Sequence, residues 1–187
     1  MVTVGVIVGS TRPGRIGSPI ARWVAELAGS LPGIDVDLIE LAEVALPFLD
    51  EPEHASTGIY TQQHTRDWSA RIGALDAFIL VTPEYNFSFS APLKNALDYL
   101  SEEWNGKAVA LVGYGGTSSG TRAVQALLPV ITSLGMLCVG TLYIPFRQRL
   151  DAASGTLVLT EHDAQGALEL ARNLQRVARS LSAVTVA

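Results

Sequence analysis

The hydrophobic pattern alternates between short uncharged runs and longer stretches in which apolar residues return every three or four positions. Residues 2–8 (VTVGVIV) carry no charge, are mostly β-branched and stop at Gly9, the pattern of a buried parallel strand. From 18 to 30, Ile20, Val24 and Leu27 fall on one face and Arg22 and Glu26 on the other, which predicts a helix capped by Ser18 with Pro19 in its first turn. Leu31-Pro32-Gly33 ends it. Residues 34–41 alternate, with Asp35, Asp37 and Glu40 among the aliphatics, so this strand has a wetter face and belongs near a sheet edge. No period survives over 42–60, where Pro47, Pro52 and Gly58 mark a long loop. Its Phe48, Leu49, Ile59 and Tyr60 are available to cover a ligand, to pack on a partner subunit or to pack on their own domain.

A helix over 61–72 sets His64, Trp68 and Ile72 four apart and puts Trp68 in the core. Residues 74–82 form a third strand, buried, and 91–100 a helix with Leu93, Leu97 and Leu100 on one side, Ser90 as cap and Pro92 in the first turn. A fourth strand over 107–112 runs into the glycine-rich turn 113–120, with Ser118 or Ser119 capping a helix to about 134. Residues 136–144 form a fifth strand, also buried, with Cys138 as packing inside it. A connection without pattern, 145–160, carries Arg147 and Arg149. A last helix spans 161–181, and 182–187 form a frayed tail.

Strands alternating with helices specify an α/β fold, a doubly wound five-stranded parallel sheet with helices on both faces. The expected order is 2-1-3-4-5, with its reversal between strands one and three. A length of 187 residues fits a single domain, 1–187, and the 48% hydrophobic content fills its core. The net charge of −5 argues against nucleic acid as a partner. One cysteine allows no disulfide within the chain, and the first apolar run is short and lacks the basic start of a signal peptide. No stretch approaches a membrane span, so a cytoplasmic protein is expected. His54, His64 and His162 have no ligand-spaced neighbours; they are surface or capping residues, and no metal site is expected.

Three loops at strand carboxyl ends carry candidate chemistry. Between the first strand and helix, Ser10, Thr11 and Ser18 offer hydroxyl donors, the helix start offers free N–H groups, and Arg12 and Arg15 add forks suited to a phosphate edge. Neither G-x-G-x-x-G nor a Gly-Lys-Ser/Thr element is present, so the loop suits one terminal phosphate rather than a dinucleotide or a triphosphate. After the third strand, Tyr85 and Phe87 offer planar apolar surface and Asn86 an amide for the rim of a flat heterocycle. Glycines after the fourth strand let the main chain approach a ligand edge. A phosphate site and a flat-ring site facing each other across the switch point describe a mononucleotide.

Gly9-Ser10-Thr11-Arg12-Pro13-Gly14-Arg15, Pro83-Glu84-Tyr85-Asn86, Leu93-Lys94-Asn95-Ala96-Leu97-Asp98 and Gly115-Gly116 resemble, in this order, the motifs of the NADPH-dependent FMN reductase family. These flavodoxin-like proteins include quinone, azo and chromate reductases. The resemblance implies that Ser10, Arg12, Ile16, Gly17 and Ser18 hold the FMN phosphate, with Arg15 nearby. By the same resemblance Pro83, Glu84, Tyr85, Asn86 and Phe87 line the isoalloxazine, and Gly115 and Gly116 its pyrimidine edge. It also implies NADPH or NADH as co-substrate, a small-molecule electron acceptor, and a homodimer or dimer of dimers. No protein nucleophile is needed for hydride transfer, and Glu84 is read as fixing its loop rather than as a base. The alternative is a flavin-binding electron carrier or redox-sensing interaction protein; the two loop arginines, where flavodoxins use hydroxyls, argue against the carrier. A phosphatase would need a cysteine nucleophile that the loop lacks.

Overall fold

In the computed structural model, which describes residues 1–151, 153–154 and 156–185, the chain alternates strands and helices from end to end. The elements are β1 (Val2–Val8), α1 (Gly17–Gly29), β2 (Ile34–Glu40), α2 (Leu41–Val44), α3 (Gln63–Gly73), β3 (Ala77–Pro83), α4 (Ala91–Asp98), β4 (Ala108–Gly115), α5 (Thr121–Ser133), β5 (Leu137–Pro145), α6 (Phe146–Arg149) and α7 (Glu161–Thr185). All strand pairs in the sheet are parallel, in the expected order β2-β1-β3-β4-β5.

The continuous apolar runs follow from burial on both sheet faces. Val4, Val6 and Val8 of β1, Ala77, Ile79 and Val81 of β3, and Ala108, Ala110 and Val112 of β4 point to one side, where α1 and α7 cover them. The alternate residues Ile7, Phe78, Leu80, Val109 and Leu111 pack on the other side against α3, α4 and α5, with Trp68 and Trp104 fully enclosed. Each side chain is thereby assigned a face by its parity along the strand. β2 is an edge strand, and Trp68 lies in the core, as the pattern predicts.

Several boundaries differ from the expected ones. β5 is not buried: it is the other edge, with Leu137 50% exposed and Cys138 half-buried against the core, since among the described residues no sixth strand lies beyond it. β4 continues to Gly115, so Gly113 and Gly115 belong to the strand and not to the turn. The stretch 42–60 is an anchored loop. It begins inside α2, holds a 3₁₀ turn over Ala55–Thr57 capped by His54, and is tied down where Glu51 accepts from the Thr61 and Gln62 N–H groups at 2.8 and 2.9 Å. The connection 145–160 contains α6 and a bridge between Leu150 and Leu157; Ala152 and Gly155 within it lie outside the described residues. The last helix continues past Leu181 to Thr185 in place of the expected fraying, and Val186 and Ala187 of the tail lie outside the described residues. A capping box that the pattern did not suggest opens α7: Thr160 and Asp163 exchange hydrogen bonds, and Arg149 pairs with Asp163 at 2.6 Å.

Candidate active site

The three loops converge at the carboxyl ends of β1, β3 and β4. Gly9 N–H donates to Val81 O at 2.8 Å, Ser90 Oγ donates to Gly9 O, and the Ser10 and Tyr85 hydroxyls are bonded at 2.9 Å. The loop after β1 and the loop after β3 are therefore stitched together across the switch point. The cleft they enclose with β4 has a volume of about 150 Å³ and is lined by Arg12, Arg15, Ile16, Pro83, Glu84, Tyr85 and Gly115 among the expected residues. Ser10, Gly17 and Ser18 are buried beside it and, like Asn86, Phe87 and Gly116, stand outside its lining.

In the first loop, Arg12 O accepts from Arg15 N–H at 3.1 Å, with Pro13 and Gly14 (φ +68°) between them as the turn requires. The turn splits the two arginines. Arg15 points inward to Glu40 at the end of β2, which is 6% exposed, and donates to its Oε2 from Nη2 at 2.9 Å and from Nε at 3.3 Å. Arg12 is exposed, and its guanidinium has no partner among the described residues. Ser18 does not cap α1, contrary to expectation: the turn carries the chain into the helix one residue sooner, Ile16 takes the cap position, and Ser18 Oγ is buried without a hydrogen bond. The N–H groups of Gly17 and Ser18 also lack acceptors among the described residues.

Tyr114, the penultimate residue of β4, lies beneath this loop. A Cβ on Gly17 would stand 2.5 Å from Tyr114 Oη, so only glycine lets the phenol reach the helix start. That hydroxyl is buried with no hydrogen bond of ordinary geometry. Burial pushes its pKa up, with Tyr85 and Glu40 adding to the rise and Ser10 and Arg15 opposing it, so it remains a neutral donor. Two unsatisfied buried hydroxyls, two free N–H groups and an unpaired guanidinium make a donor set that would suit a phosphate, so the residues present fit the phosphate end of FMN.

After β3, Tyr85 and Ser88 exchange main-chain hydrogen bonds at 2.9 and 3.0 Å, leaving Asn86 (φ +48°) and Phe87 (φ +69°) as a two-residue turn. Ser90 occupies the cap position of α4, but its hydroxyl is spent on Gly9 and not on the helix. Glu84 accepts from Arg122 N–H at 3.0 Å and from Arg122 Nη1 at 3.2 Å. Desolvation pushes the Glu84 carboxyl up, but hydrogen bonds from Ser118 and Arg122 and the Arg122 charge outweigh it and hold the group below the usual carboxylate value. It is ionised and occupied. Neither Ser118 nor Ser119 caps α5; Gly120 does, at φ +88°, because a Cβ there would strike Tyr114 N at 2.3 Å. Gly116 lies against Arg147, whose Nε would be 3.2 Å from a Cβ at that position.

Sequence reasoning missed Glu40, Tyr114, Arg122 and Phe146 of α6, which also lines the cleft. Glu40 had a visible signal, an acid at the very end of a strand. Tyr114 was hidden by the glycines around it, which suggested a turn. Among the described residues no cluster of His, Cys, Asp and Glu could hold a metal ion, and no helix is long and apolar enough to cross a membrane.

Residues 2–151 match the family model described as NADPH-dependent FMN reductase. The chain is 43% identical over 122 residues to an NAD(P)H-dependent FMN reductase of Schizosaccharomyces pombe, a match that covers 64% of this chain and 61% of that protein. It is 34% identical over 143 residues to a quinone reductase of Pseudomonas putida, covering 73% of each. Thus the match spans about three fifths of the length of the fission-yeast relative. Among solved structures, the flavoenzyme NAD(P)H:(acceptor) oxidoreductase FerB of Paracoccus denitrificans superposes with a TM-score of 0.76 at 23% identity, over 96% of this chain and 98% of that one. This last similarity shows the flavodoxin-like fold.

Proposed function

The chain belongs to the NADPH-dependent FMN reductase family, and from that premise we propose that it is an FMN-dependent NAD(P)H oxidoreductase that passes two electrons to a quinone-like acceptor or to free flavin. The observation that carries the proposal is the set of unsatisfied donors under the first loop, Ser18 Oγ, Tyr114 Oη and the Arg12 guanidinium, beside a cleft bounded by Tyr85 and Gly115. Ser10, Arg12, Ile16, Gly17 and Ser18 would hold the phosphate. Arg15 would act at one remove, since Glu40 engages it. Pro83, Glu84, Tyr85, Asn86 and Phe87 would border the ring, and main-chain groups at Gly115 and Gly116 would meet its pyrimidine edge.

Bound FMN supplies the two-electron exchange with a nicotinamide. The protein's part would be binding and orientation: backbone donors at the glycine turn would favour negative charge on the ring edge, and Tyr85, tied to Ser10, would fix the distance between ring and phosphate sites. A single cleft serving nicotinamide and acceptor in turn makes ping-pong kinetics the expectation. Both Glu84 oxygens accept from Arg122, an arrangement that suits securing the loop rather than acting as a base. A homodimer is part of this reading. Phe48 is 86% exposed, and with Leu49 and Ile59 it leaves an apolar surface that a second copy would cover.

The test is a visible spectrum of purified protein incubated with FMN and desalted, followed by anaerobic NADPH or NADH. Retained flavin that bleaches with a nicotinamide nucleotide and returns with a quinone is the expected result. Protein that retains no flavin overturns the proposal, and flavin that stays oxidised with both nucleotides favours the electron carrier.

A further inference from the structure

At the rim of the cleft, the turn that would border the ring holds an exposed aromatic side chain on strained backbone. Phe87 is 70% exposed, yet it sits at φ +69°, a conformation that disfavours any side chain and especially a bulky one. Glycine would occupy this position of the turn without strain. The ring is not loose: the Arg122 guanidinium lies over it, 4.1 Å from Cζ to the ring centroid, within cation–π range. Arg122 is in turn fixed by Glu84, through both its N–H and Nη1. Phe87 comes from the loop after β3 and Arg122 from the first turn of α5, so the pair bridges the two loops that border the ring site.

We infer that Phe87 and Arg122 form a preformed platform that receives the electron acceptor and selects neutral, planar, carbonyl-bearing molecules of the quinone class over oxyanions. The inference rests on the oxidoreductase reading above. Phe87 supplies an aromatic face for a flat ring. Arg122 supplies N–H donors for a carbonyl oxygen, because only Nη1 is spent on Glu84. Glu84 supplies the selection: its carboxylate, 9% exposed, neutralises the Arg122 guanidinium, so this pair offers hydrogen bonds without a net positive charge of its own. An oxyanion such as chromate gains little there, whereas a neutral quinone meets no repulsion from the acidic surface of a chain of net charge −5.

The experiment is equilibrium dialysis of menadione, a neutral naphthoquinone, and of chromate against oxidised FMN-loaded protein without reductant. Phe87→Gly keeps the turn conformation while removing the ring, and Arg122→Gln removes the cation. Each is expected to weaken menadione binding by about tenfold; unchanged menadione affinity in both overturns the platform. Glu84→Gln frees the guanidinium charge and is expected to tighten chromate binding by about tenfold, and unchanged chromate affinity overturns the charge selection. The platform stands without ligand, so the same dialysis on flavin-free chain tests it even where FMN fails to load. Failure of FMN loading sinks the oxidoreductase reading; menadione affinity that is unchanged in both Phe87→Gly and Arg122→Gln sinks this inference.

Discussion

Replacing Gly17 by alanine probes the floor of the phosphate loop. The new Cβ falls 2.5 Å from Tyr114 Oη and 3.2 Å from its Cζ, the first of which real side chains do not adopt. Tyr114 cannot swing aside, since it is 4% exposed and packed within the core beneath α1 and α7. Overpacking of this kind costs about 1–3 kcal/mol. Tyr114→Phe isolates the cause. It deletes the atom at 2.5 Å and leaves a ring carbon at 3.2 Å, which a shift of a few tenths of an ångström relieves. It also removes a buried hydroxyl that has no well-formed bond, and this alone should stabilise the flavin-free chain by about 1 kcal/mol. Urea unfolding of the flavin-free protein reads both effects. Gly17→Ala should lower stability markedly in the wild-type background and much less beside Tyr114→Phe, a coupling of about 1 kcal/mol or more. An equal cost in both backgrounds would refute the steric account. A Tyr114→Phe variant less stable than the parent would show that the hydroxyl is bonded after all.

The two loop arginines should separate. Arg12→Ala removes an exposed, unpartnered cation, so it should leave stability within about 0.5 kcal/mol and weaken FMN binding by about tenfold or more in a fluorescence titration. Arg15→Ala strips a buried carboxylate of its ion pair and should cost about 3 kcal/mol in urea unfolding, with the smaller loss of flavin affinity; equal affinity losses contradict this division. At the other end of the chain, burial pushes the Asp163 carboxyl up but Arg149 and Thr160 outweigh it, holding it at about 2. A folded value below the unfolded one gives stability that is complete above pH of about 4 and is lost as pH falls toward 2. Asp163→Asn should flatten that acid limb when thermal midpoints are followed across this window, and an unaltered slope would exclude Asp163 as its source.

The sheet was legible because burial on both faces turns strands into uncharged runs, and the order followed from where the loops fall. β5 misled for the same reason: an apolar run marks a strand, but nothing local tells an edge from a centre, and the exposed Leu137 and Tyr143 look no different in sequence from Val109 and Leu111. Caps failed differently. Ser18, Ser118 and Ser119 are the right residue types in the right places, but where a helix begins is set by the turn and the packing before it: Ile16 precedes α1 in right-handed helical dihedrals, and Gly120 precedes α5 because a Cβ there would meet Tyr114 N at 2.3 Å.

The polar partnerships were the least legible part of the site, since periodicity carries no information about contacts far apart in the chain. Arg15 and Glu40 are 25 residues apart, Glu84 and Arg122 are 38, and Ser10 and Tyr85 are 75. Each pairing changes a role. Glu40 turns Arg15 from a ligand donor into a support for the loop. Arg122 donates to both oxygens of Glu84 and holds its pKa below the usual carboxylate value, which makes the acid nearest the ring site a weak base. Chemistry assigned from residue type alone would have put two arginines on the phosphate and a base beside the ring. Once partners are counted, one arginine, two hydroxyls and two N–H groups remain unspent, and these are what a phosphate would need.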